Sequence, residues 1–409
     1  MVKNFSAAAT PLLLAAFIAG CSSSTSHIAM PTPPASLGTV VTTLLPTGLA
    51  MSPTAMPGST YLPLVPGLKT NPTMPAGYAQ SETISPDGKT LLVLTSGYNL
   101  VVDANGKKVP ADSTQFIFVF DVSSNKPVQK QVVPVTNSYV GIAFSPDGTK
   151  FYVPGAGEDN IHVFAFTNGT WAESGAPIAL GHTAGYGLAQ KPTATTIAIT
   201  ADGKRALVAN RYNDSVTLVD LINGKVIAEQ DLRPGKSGGT SGKAGGEYPN
   251  SIAIVGNNTA YISSERDREI VVVDISAATP SVKARIPVQG SPNKMTLNKA
   301  QTRLFVASDF ADLVSVIDTT KNAVTSTVST VAPSSVLTAA QARYKGASPS
   351  AVALSPDEQT LYVANRGTNS VAVVSLAGST PTVTGLIPTG WYPTAVSYTH
   401  LTLPTIYSV

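Results

Sequence analysis

Residues 348–375 read SPSAVALSPDEQTLYVANRGTNSVAVVS, and this stretch decides the fold. Apolar residues alternate with polar or small residues at a period of two, a pattern that is typical of β-strands. Between the first two alternating runs lies the segment 355–358, SPDE, whose composition is typical of a tight turn. The stretch therefore predicts a series of short antiparallel strands.

The same unit recurs along the chain. Turns of the type Ser-Pro-Asp-Gly stand at 85–88 and 145–148, with a variant at 200–203. In four copies a strand-ending Asn or Ser is followed ten positions later by the residue that closes the next strand: Asn210 to Asp220, Ser264 to Asp274, Ser308 to Asp318 and Asn365 to Ser375. Because this offset is constant, we expect the same hairpin four times. Repeats of roughly 40 to 60 residues are typical of β-propeller blades.

The predicted fold class is all-β, a seven-bladed type of β-propeller with six full blades and an incomplete seventh. A lipoprotein signal peptide (1–20) and a flexible tether (21–59) precede the propeller (60–396), and a tail (397–409) follows it. Closing the ring packs the faces that a single blade leaves exposed. The blades are expected at 80–136, 137–180, 193–232, 248–288, 290–331 and 348–389, with a seventh beginning at 391–396.

The composition excludes several classes of protein. Of the 409 residues 12 % are charged, and the formal net charge is +3. Globular proteins average about 25 % charged residues, and highly charged disordered chains and coiled coils have more. This balance gives no basic patch of the kind that binds nucleic acid, so no nucleic-acid partner is expected.

The N terminus predicts export and lipidation. Lys3 precedes an apolar stretch at 7–19 that is too short to span a bilayer. Residues 18–21, IAGC, then resemble a bacterial lipobox, in which Cys21 accepts the lipid. An ordinary secretory signal with an incidental cysteine is the alternative. We expect a membrane partner through the lipid anchor, a location in the bacterial cell envelope and, from Ser22, the outer membrane.

The repeat breaks off near the last residues of the chain. Residues 391–396 parallel 348–352, so a further turn and strand are expected after them. Residues 397–409 instead read SYTHLTLPTIYSV, which matches no part of the repeat. We interpret the chain as a fragment of a larger protein with a non-native tail, and a divergent last strand is the alternative.

The repeats resemble the YVTN-type, or YncE-like, seven-bladed propellers, since residues 362–365 read YVAN. Residues 348–357 and 387–396 resemble most the propeller half of bifunctional YncE-like and alkaline-phosphatase-like proteins. That resemblance implies a metal-dependent phosphoesterase domain after the propeller. Its catalytic residues would lie beyond this sequence, so none is carried over.

The sequence offers no catalytic or metal-binding constellation. Its histidines do not share the spacing of metal ligands: His27, His162, His182 and His400. We expect His162 on a strand and His182 on a loop, both with structural roles. Ser241 lies in a glycine-rich loop, but a strand follows it where a phosphate-binding loop requires a helix. No metal, no cofactor and no catalytic residue are predicted.

The antiparallel strand order divides the loops between two faces of the disc. The Ser-Pro-Asp-Gly turns lie on one face, here called the turn face. The turns after the second strands and the long connections between blades lie on the other, here called the loop face. Arginine and aromatic side chains on the loop face are predicted to bind a protein or a small anion, and salt bridges between blades are the alternative. The candidate residues are Asn210, Arg211, Tyr248, Glu265, Arg266, Asp309, Arg366, Trp391 and Tyr392.

Three functions remain open at this point. The first is a lipid-anchored binding or scaffold module outside the cytoplasm, without activity in this chain. The second is the propeller half of a metal-dependent phosphoesterase. The third is a propeller-type lactonase, which would need a convergent set of His, Glu and Arg around the channel; His162 and His182 do not supply that set.

Overall fold

The structure, a computed structural model, describes residues 43–44, 50–51, 61–96, 100–124, 126–182, 184–185, 193–235, 245–333, 346–378 and 380–397. Every described residue belongs to one compact unit, Val40–Val409. Cys21 and the predicted signal peptide lie outside the described residues, as do Ser241 and residues 398–409. In the described ranges no helix has the length and apolar character needed to span a membrane.

The strands form six antiparallel sheets in the predicted order, after a short pair formed by β1 (Thr43–Leu44) and β2 (Ala50–Met51). Blade 1 contains β3 (Ala79–Ile84), β4 (Thr90–Thr95), β5 (Gln115–Asp121) and β6 (Val128–Val135). Blade 2 contains β7 (Ala143–Phe144), β8 (Lys150–Pro154), β9 (Asn160–Thr167), β10 (Thr170–Glu173) and β11 (Ile178–Ala179). Blade 3 contains β12 (Ala194–Ile199), β13 (Arg205–Asn210), β14 (Ser215–Asp220) and β15 (Lys225–Asp231).

The remaining sheets repeat this plan. Blade 4 contains β16 (Pro249–Val255), β17 (Thr259–Ser264), β18 (Glu269–Asp274) and β19 (Ser281–Pro287). Blade 5 contains β20 (Ser291–Leu297), β21 (Arg303–Asp309), β22 (Leu313–Asp318) and β23 (Ala323–Ser329). Blade 6 contains β24 (Pro349–Leu354), β25 (Thr360–Asn365), β26 (Ser370–Ser375) and β27 (Thr382–Pro388). The prediction of six blades is confirmed, and the strands of each blade lie within one residue of the range predicted for that blade.

The turn between the first two strands of a blade is built by its aspartate. In blade 1 the Ser85 hydroxyl donates to Asp87 Oδ1 over 2.6 Å, and the backbone N–H of Lys89 donates to the same oxygen over 3.1 Å. Hydrogen bonds to the charged form favour ionisation, and the Ser85 bond is the main cause that lowers the pKa of Asp87. The same contacts recur at three further aspartates: Asp147, Asp202 and Asp357.

A left-handed residue opens the innermost strand of most blades. The residue that precedes the strand has a φ between 53° and 71° in five blades: Tyr78, Thr193, Tyr248, Gly290 and Ser348. Tyr392, with a φ of 54°, repeats this conformation before Pro393. Positive φ is uncommon outside glycine, so the connection between blades imposes the same backbone reversal whatever the side chain.

The core consists of apolar layers between neighbouring blades. One layer joins blades 1 and 2 and contains the buried rings of Phe144, Phe151 and Trp171. Similar layers join blades 2 and 3, 3 and 4, 4 and 5, and 5 and 6. Burial of one large apolar side chain contributes roughly 1.5–3 kcal/mol, so each blade depends on its neighbours for most of its stability.

The seventh position of the ring is flanked by two short segments. Leu64 and Leu68, from the segment before blade 1, pack against the outer face of that blade. Val396 packs on Ala351 and Ile387, on the face of blade 6 that does not contact blade 5. The Thr394 hydroxyl donates to Ala79 O of blade 1 over 2.6 Å, so residues 393–397 reach from blade 6 to blade 1.

Candidate ligand site at the central channel

The innermost strands of five blades and residues 140–142 of blade 2 surround a central channel of about 610 Å³. Residues 395–397 complete its wall. The turn-face end of the channel is formed by Lys299, Pro356 and Glu358. Farther inside, the charged side chains that line it in the described part of the chain are those of Glu82 and Lys294.

At the loop face the channel opens through a small mouth of about 100 Å³, which shares Val140, Asn250 and Lys294 with the channel. Three cationic side chains line this mouth, and Glu265 is the one carboxylate among its described lining residues. Amide and hydroxyl groups complete the lining, among them those of Tyr139 and Asn293. The three cations are those of Arg211, Lys294 and Arg366.

Arg211 is held in place by a carboxylate and an aromatic ring. Its Nη2 lies 2.6 Å from Glu265 Oε2, and its guanidinium carbon lies 5.1 Å from the centroid of the Tyr248 ring. Arg266 lies 5.7 Å from the same ring and pairs with Glu247 at 3.2 Å. Tyr248 is therefore shared by two guanidinium groups, a geometry that favours cation–π attraction.

Arg366 repeats this arrangement in blade 6. It forms an ion pair with Asp309, whose other oxygen accepts a hydrogen bond from the Ser348 hydroxyl over 2.5 Å. Its guanidinium carbon lies 5.3 Å from the centroid of the Tyr392 ring. Arg366 Nε is buried and has no hydrogen-bond partner. Asp309 and the Tyr392 ring thus hold the guanidinium in place, and its Nε–H remains unused.

Lys294 and Glu82 face each other from blades 5 and 1. Lys294 Nζ donates to Gln80 O over 2.8 Å and to Thr394 O over 3.1 Å. Burial lowers the pKa of Lys294, and the charge of Glu82 opposes that shift only in part. Burial raises the pKa of Glu82, against the hydrogen bond from Ser397 and the charge of Lys294. Both groups thus titrate closer to neutral pH than free side chains do.

A second polar cluster lies between blades 2 and 3, away from the channel. His182 Nδ1 lies 2.7 Å from Glu229 Oε1, and His182 Nε2 pairs with Asp159. Glu229 is fully buried and also accepts from Ser215 and Asn213. Burial alone would lower the pKa of His182, but the hydrogen bonds and charges of Asp159 and Glu229 outweigh it and raise that pKa to about 9.

His162 also lies against carboxylates. Its Nδ1 lies 2.7 Å from Glu173 Oε1, and its Nε2 lies 3.6 Å from Glu158 Oε2. In the described part of the chain no three His, Cys, Asp or Glu side chains are arranged to hold a metal ion. Both histidines therefore have carboxylate partners within the protein.

The structure brings most of the predicted loop-face residues together. Arg211, Glu265 and Arg366 line the mouth itself. The flanking contacts are made by Tyr248, Arg266, Asp309 and Tyr392. Trp391 is exposed beside Tyr392.

Two of the predicted residues are less accessible than expected. Asn210 is fully buried, and its side-chain amide donates to the Ser215 and Thr217 hydroxyls. Asp309 is almost fully buried behind Arg366. Both residues therefore support the mouth from behind.

Sequence reasoning missed Glu82 and Lys294. Neither belongs to a recognised motif, and 212 positions separate them in the sequence. Aligning the repeats would have shown both as exceptions to their columns, since the other blades carry apolar or small residues there.

Fold and site together define a β-propeller with a polar channel that opens on its loop face. The sequence profile of the family described as "Lactonase, 7-bladed beta-propeller" matches residues 142–336 and 325–400, which is more than half of the chain. The chain belongs to this Lactonase, 7-bladed beta-propeller family.

Solved structures show the same fold in proteins of diverse description. The periplasmic gluconolactonase PpgL of Pseudomonas aeruginosa has a TM-score of 0.57 and 14 % identity, covering 82 % of this chain and 90 % of that one. The hydrazine synthase of Kuenenia stuttgartiensis has a TM-score of 0.55 and 17 % identity, covering 84 % and 93 %. A functionally unknown protein from Desulfotomaculum acetoxidans DSM 771 has a TM-score of 0.54 and 12 % identity, covering 82 % and 90 %. No curated protein matches the chain.

Proposed function

We propose that this propeller is a binding module that takes a small anionic ligand, or an anionic group of a larger partner, at the mouth of its channel. The observation that carries the proposal is the convergence of Arg211, Lys294 and Arg366 on one opening, where Glu265 is the one carboxylate among the described lining residues. Guanidinium groups bind carboxylates and phosphates through paired hydrogen bonds. Because both arginines are already oriented by carboxylates and rings, the ligand orders few side chains on binding.

The test is calorimetric titration of the full chain with succinate and with inorganic phosphate. We expect binding that weakens with added salt, and a loss of affinity of about tenfold or more in Arg211→Met, equivalent to about 1.4 kcal/mol. Arg366→Met would leave Asp309 unpaired, so the double variant Arg366→Met with Asp309→Asn is used. Arg303→Met, at an exposed residue on the turn face, is the matched control. Equal affinity in the mouth variants and in this control would refute the proposal.

We also propose that the protein is anchored outside the cytoplasm by lipid on Cys21, in the bacterial cell envelope and with the outer membrane favoured. The support is the sequence at 18–22, IAGCS, and the Ser-, Thr- and Pro-rich stretch that follows it. Metabolic labelling with a fatty-acid analogue tests this, and label that persists in Cys21→Ser would contradict it. The phosphoesterase alternative rests on the resemblance of residues 348–357 and 387–396 and stays a prediction.

Hydrolysis of a lactone is the second candidate function, and membership in the lactonase family favours it. Within the channel, Glu82 has a carboxyl oxygen without a partner, and such a group can accept a proton from an attacking water. Turnover of glucono-δ-lactone above its spontaneous rate, lost in Glu82→Gln, would support this candidate. A rate equal to the spontaneous one in the unaltered protein would exclude this substrate.

A further inference from the structure

When the blades are aligned with one another, two channel positions hold a residue of a different type from the equivalent positions in the other blades. Glu82 pairs across its hairpin with Val93, the fourth residue of the second strand. The equivalent positions in the other blades and in the seventh segment are all apolar: Ile142, Ile197, Ile252, Met295, Val352 and Val396. In the other blades this position holds an apolar side chain, so apolar packing does not explain the carboxyl group of Glu82.

Lys294 is the second exception, and it lies one residue before Met295, the position equivalent to Glu82. The equivalent positions hold small residues: Ser81, Gly141, Thr196, Ser251, Ala351 and Ala395. Since the fold needs only a small side chain here, the long amine of Lys294 calls for another explanation. Both exceptions line the same channel, and both are largely enclosed while part of each side chain stays open to it.

The hydrogen bonds of Lys294 leave the lone pair of its nitrogen free when the amine is neutral. Its Nζ donates to two backbone carbonyls, Gln80 O and Thr394 O. In the described ranges no carboxylate lies within ion-pair distance of this nitrogen. A neutral amine has two N–H groups, so these two bonds satisfy both donors and leave the lone pair unused. Burial lowers the pKa of Lys294 to about 8, so near neutral pH most molecules carry the ammonium ion that lines the mouth, and a minority carry the neutral amine that can react.

Glu82 supplies the complementary group. Its Oε1 is buried without a hydrogen-bond partner. Its other interactions are with Ser397 and, over a longer distance, the charge of Lys294. A carboxyl group that keeps its proton closer to neutral pH can donate it to a ligand in the channel.

We propose that the Lys294 amine forms a reversible imine with a small carbonyl compound that also carries a carboxylate, an oxo acid, and that Glu82 is the proton donor for this step. Desolvated lysines are the side chains that form such adducts in proteins. The carboxylate of the ligand is selected by Arg211 and Arg366 at the mouth, and in this respect the inference rests on the proposed function.

The step balances without an oxidant or a reductant. The neutral Lys294 nitrogen bonds to the carbonyl carbon, and one of its two protons moves to the carbonyl oxygen to give a carbinolamine. Glu82 donates its proton to the departing hydroxyl group, which leaves as water, and the nitrogen loses its remaining proton to the carboxylate. The net reaction is amine plus carbonyl giving imine plus one water.

The experiment is reductive trapping of the full chain with glyoxylate and sodium cyanoborohydride, followed by peptide mass spectrometry. We expect Lys294 to be modified at least about tenfold faster than Lys299, which lines the same channel at its turn-face end and serves as the matched internal control. The rate at Lys294 should reach half its maximum below about pH 9, against about 10.4 for a free lysine. Labelling of Lys294 no faster than Lys299 overturns the proposal.

Two further measurements test the roles of Glu82 and of the mouth separately. Glu82→Gln should slow trapping at Lys294 while leaving the rate at Lys299 unchanged, and an unchanged rate at both would remove Glu82 from the step. An uncharged aldehyde, propanal, tests the role of the mouth. If propanal and glyoxylate label Lys294 equally, the reactive lysine stands and the anion selectivity of the proposed function fails.

Discussion

His182 shows how a single residue can link folding to pH. Its ring lies between Asp159 and Glu229, which belong to different blades, and the two carboxylates raise its pKa to about 9. A free histidine has a pKa of about 6.5. The folded protein therefore binds a proton that the unfolded chain releases between these two values.

The stability contributed by His182 should consequently fall in alkaline solution. It is fully present below about pH 6.5 and is lost as the pH rises through about 9. After allowance for partial exposure we expect a contribution of about 2 kcal/mol. Urea unfolding of the protein and of His182→Gln at a series of pH values measures it. A difference between the two proteins that stays constant from pH 6 to pH 10 would contradict the assignment.

At the scale of elements, the innermost strand of blade 2 is shortened by its contact with blade 3. The Gly141 N–H donates to Thr195 O over 2.7 Å, so the two strands approach backbone to backbone. A Cβ at Gly141 would lie 2.6 Å from the Thr196 Cα and 2.8 Å from Thr195 O. Such distances require the blades to separate.

Gly141→Ala should therefore destabilise the propeller by about 1–3 kcal/mol, the range for overpacking of a close contact. Gly157, in the same blade, has an ordinary φ and open space where a Cβ would stand, so Gly157→Ala is the matched control. Thermal unfolding of both variants measures the effect. Equal midpoints for the two would show that the interface accommodates the methyl group.

The elements were predictable to the extent that they repeat. The offset of ten residues, as from Asn365 to Ser375, indicates a hairpin, because strands and turns are local and residue spacing reflects local structure. Blade 2 departs from that plan because residues 174–177, in which Gly175 has a φ of 78°, divide its outer edge into β10 and β11. In β10, Trp171 exchanges hydrogen bonds with Gln131 of blade 1.

The site was predictable only in outline. The antiparallel order placed Arg211 and Arg366 on the loop face, but the partners of His182 could not be found in this way. Asp159 is 23 positions before His182, and Glu229 is 47 after it. These groups meet because separate blades pack side by side, and no local pattern encodes that distance.

At the scale of the whole molecule, the ring depends on residues 393–397. Val396 is buried against blade 6, the Ser350 hydroxyl donates to Pro393 O over 2.9 Å, and Thr394 bonds to blade 1. Lys294 joins blade 5 to this segment and to blade 1. One short segment thus connects three blades.

Val396→Asp should loosen that connection, because it puts a carboxylate into the apolar cluster in which Val396 is buried. We expect a loss of about 2–4 kcal/mol and faster amide hydrogen exchange in β24 and β26 than in β13 and β14. Val324→Asp, at a partly exposed position on an outer strand, is the control. Uniformly faster exchange over all blades would indicate global destabilisation instead.

The channel wall has a consequence for how such a protein can diversify. Each blade contributes one edge strand to it, and consecutive edge strands are separated in the sequence by a whole repeat. A single codon change therefore alters one side of the cavity and leaves the others untouched, as Glu82 and Lys294 illustrate. New ligand chemistry can therefore arise through a substitution in one blade while the other blades keep the fold.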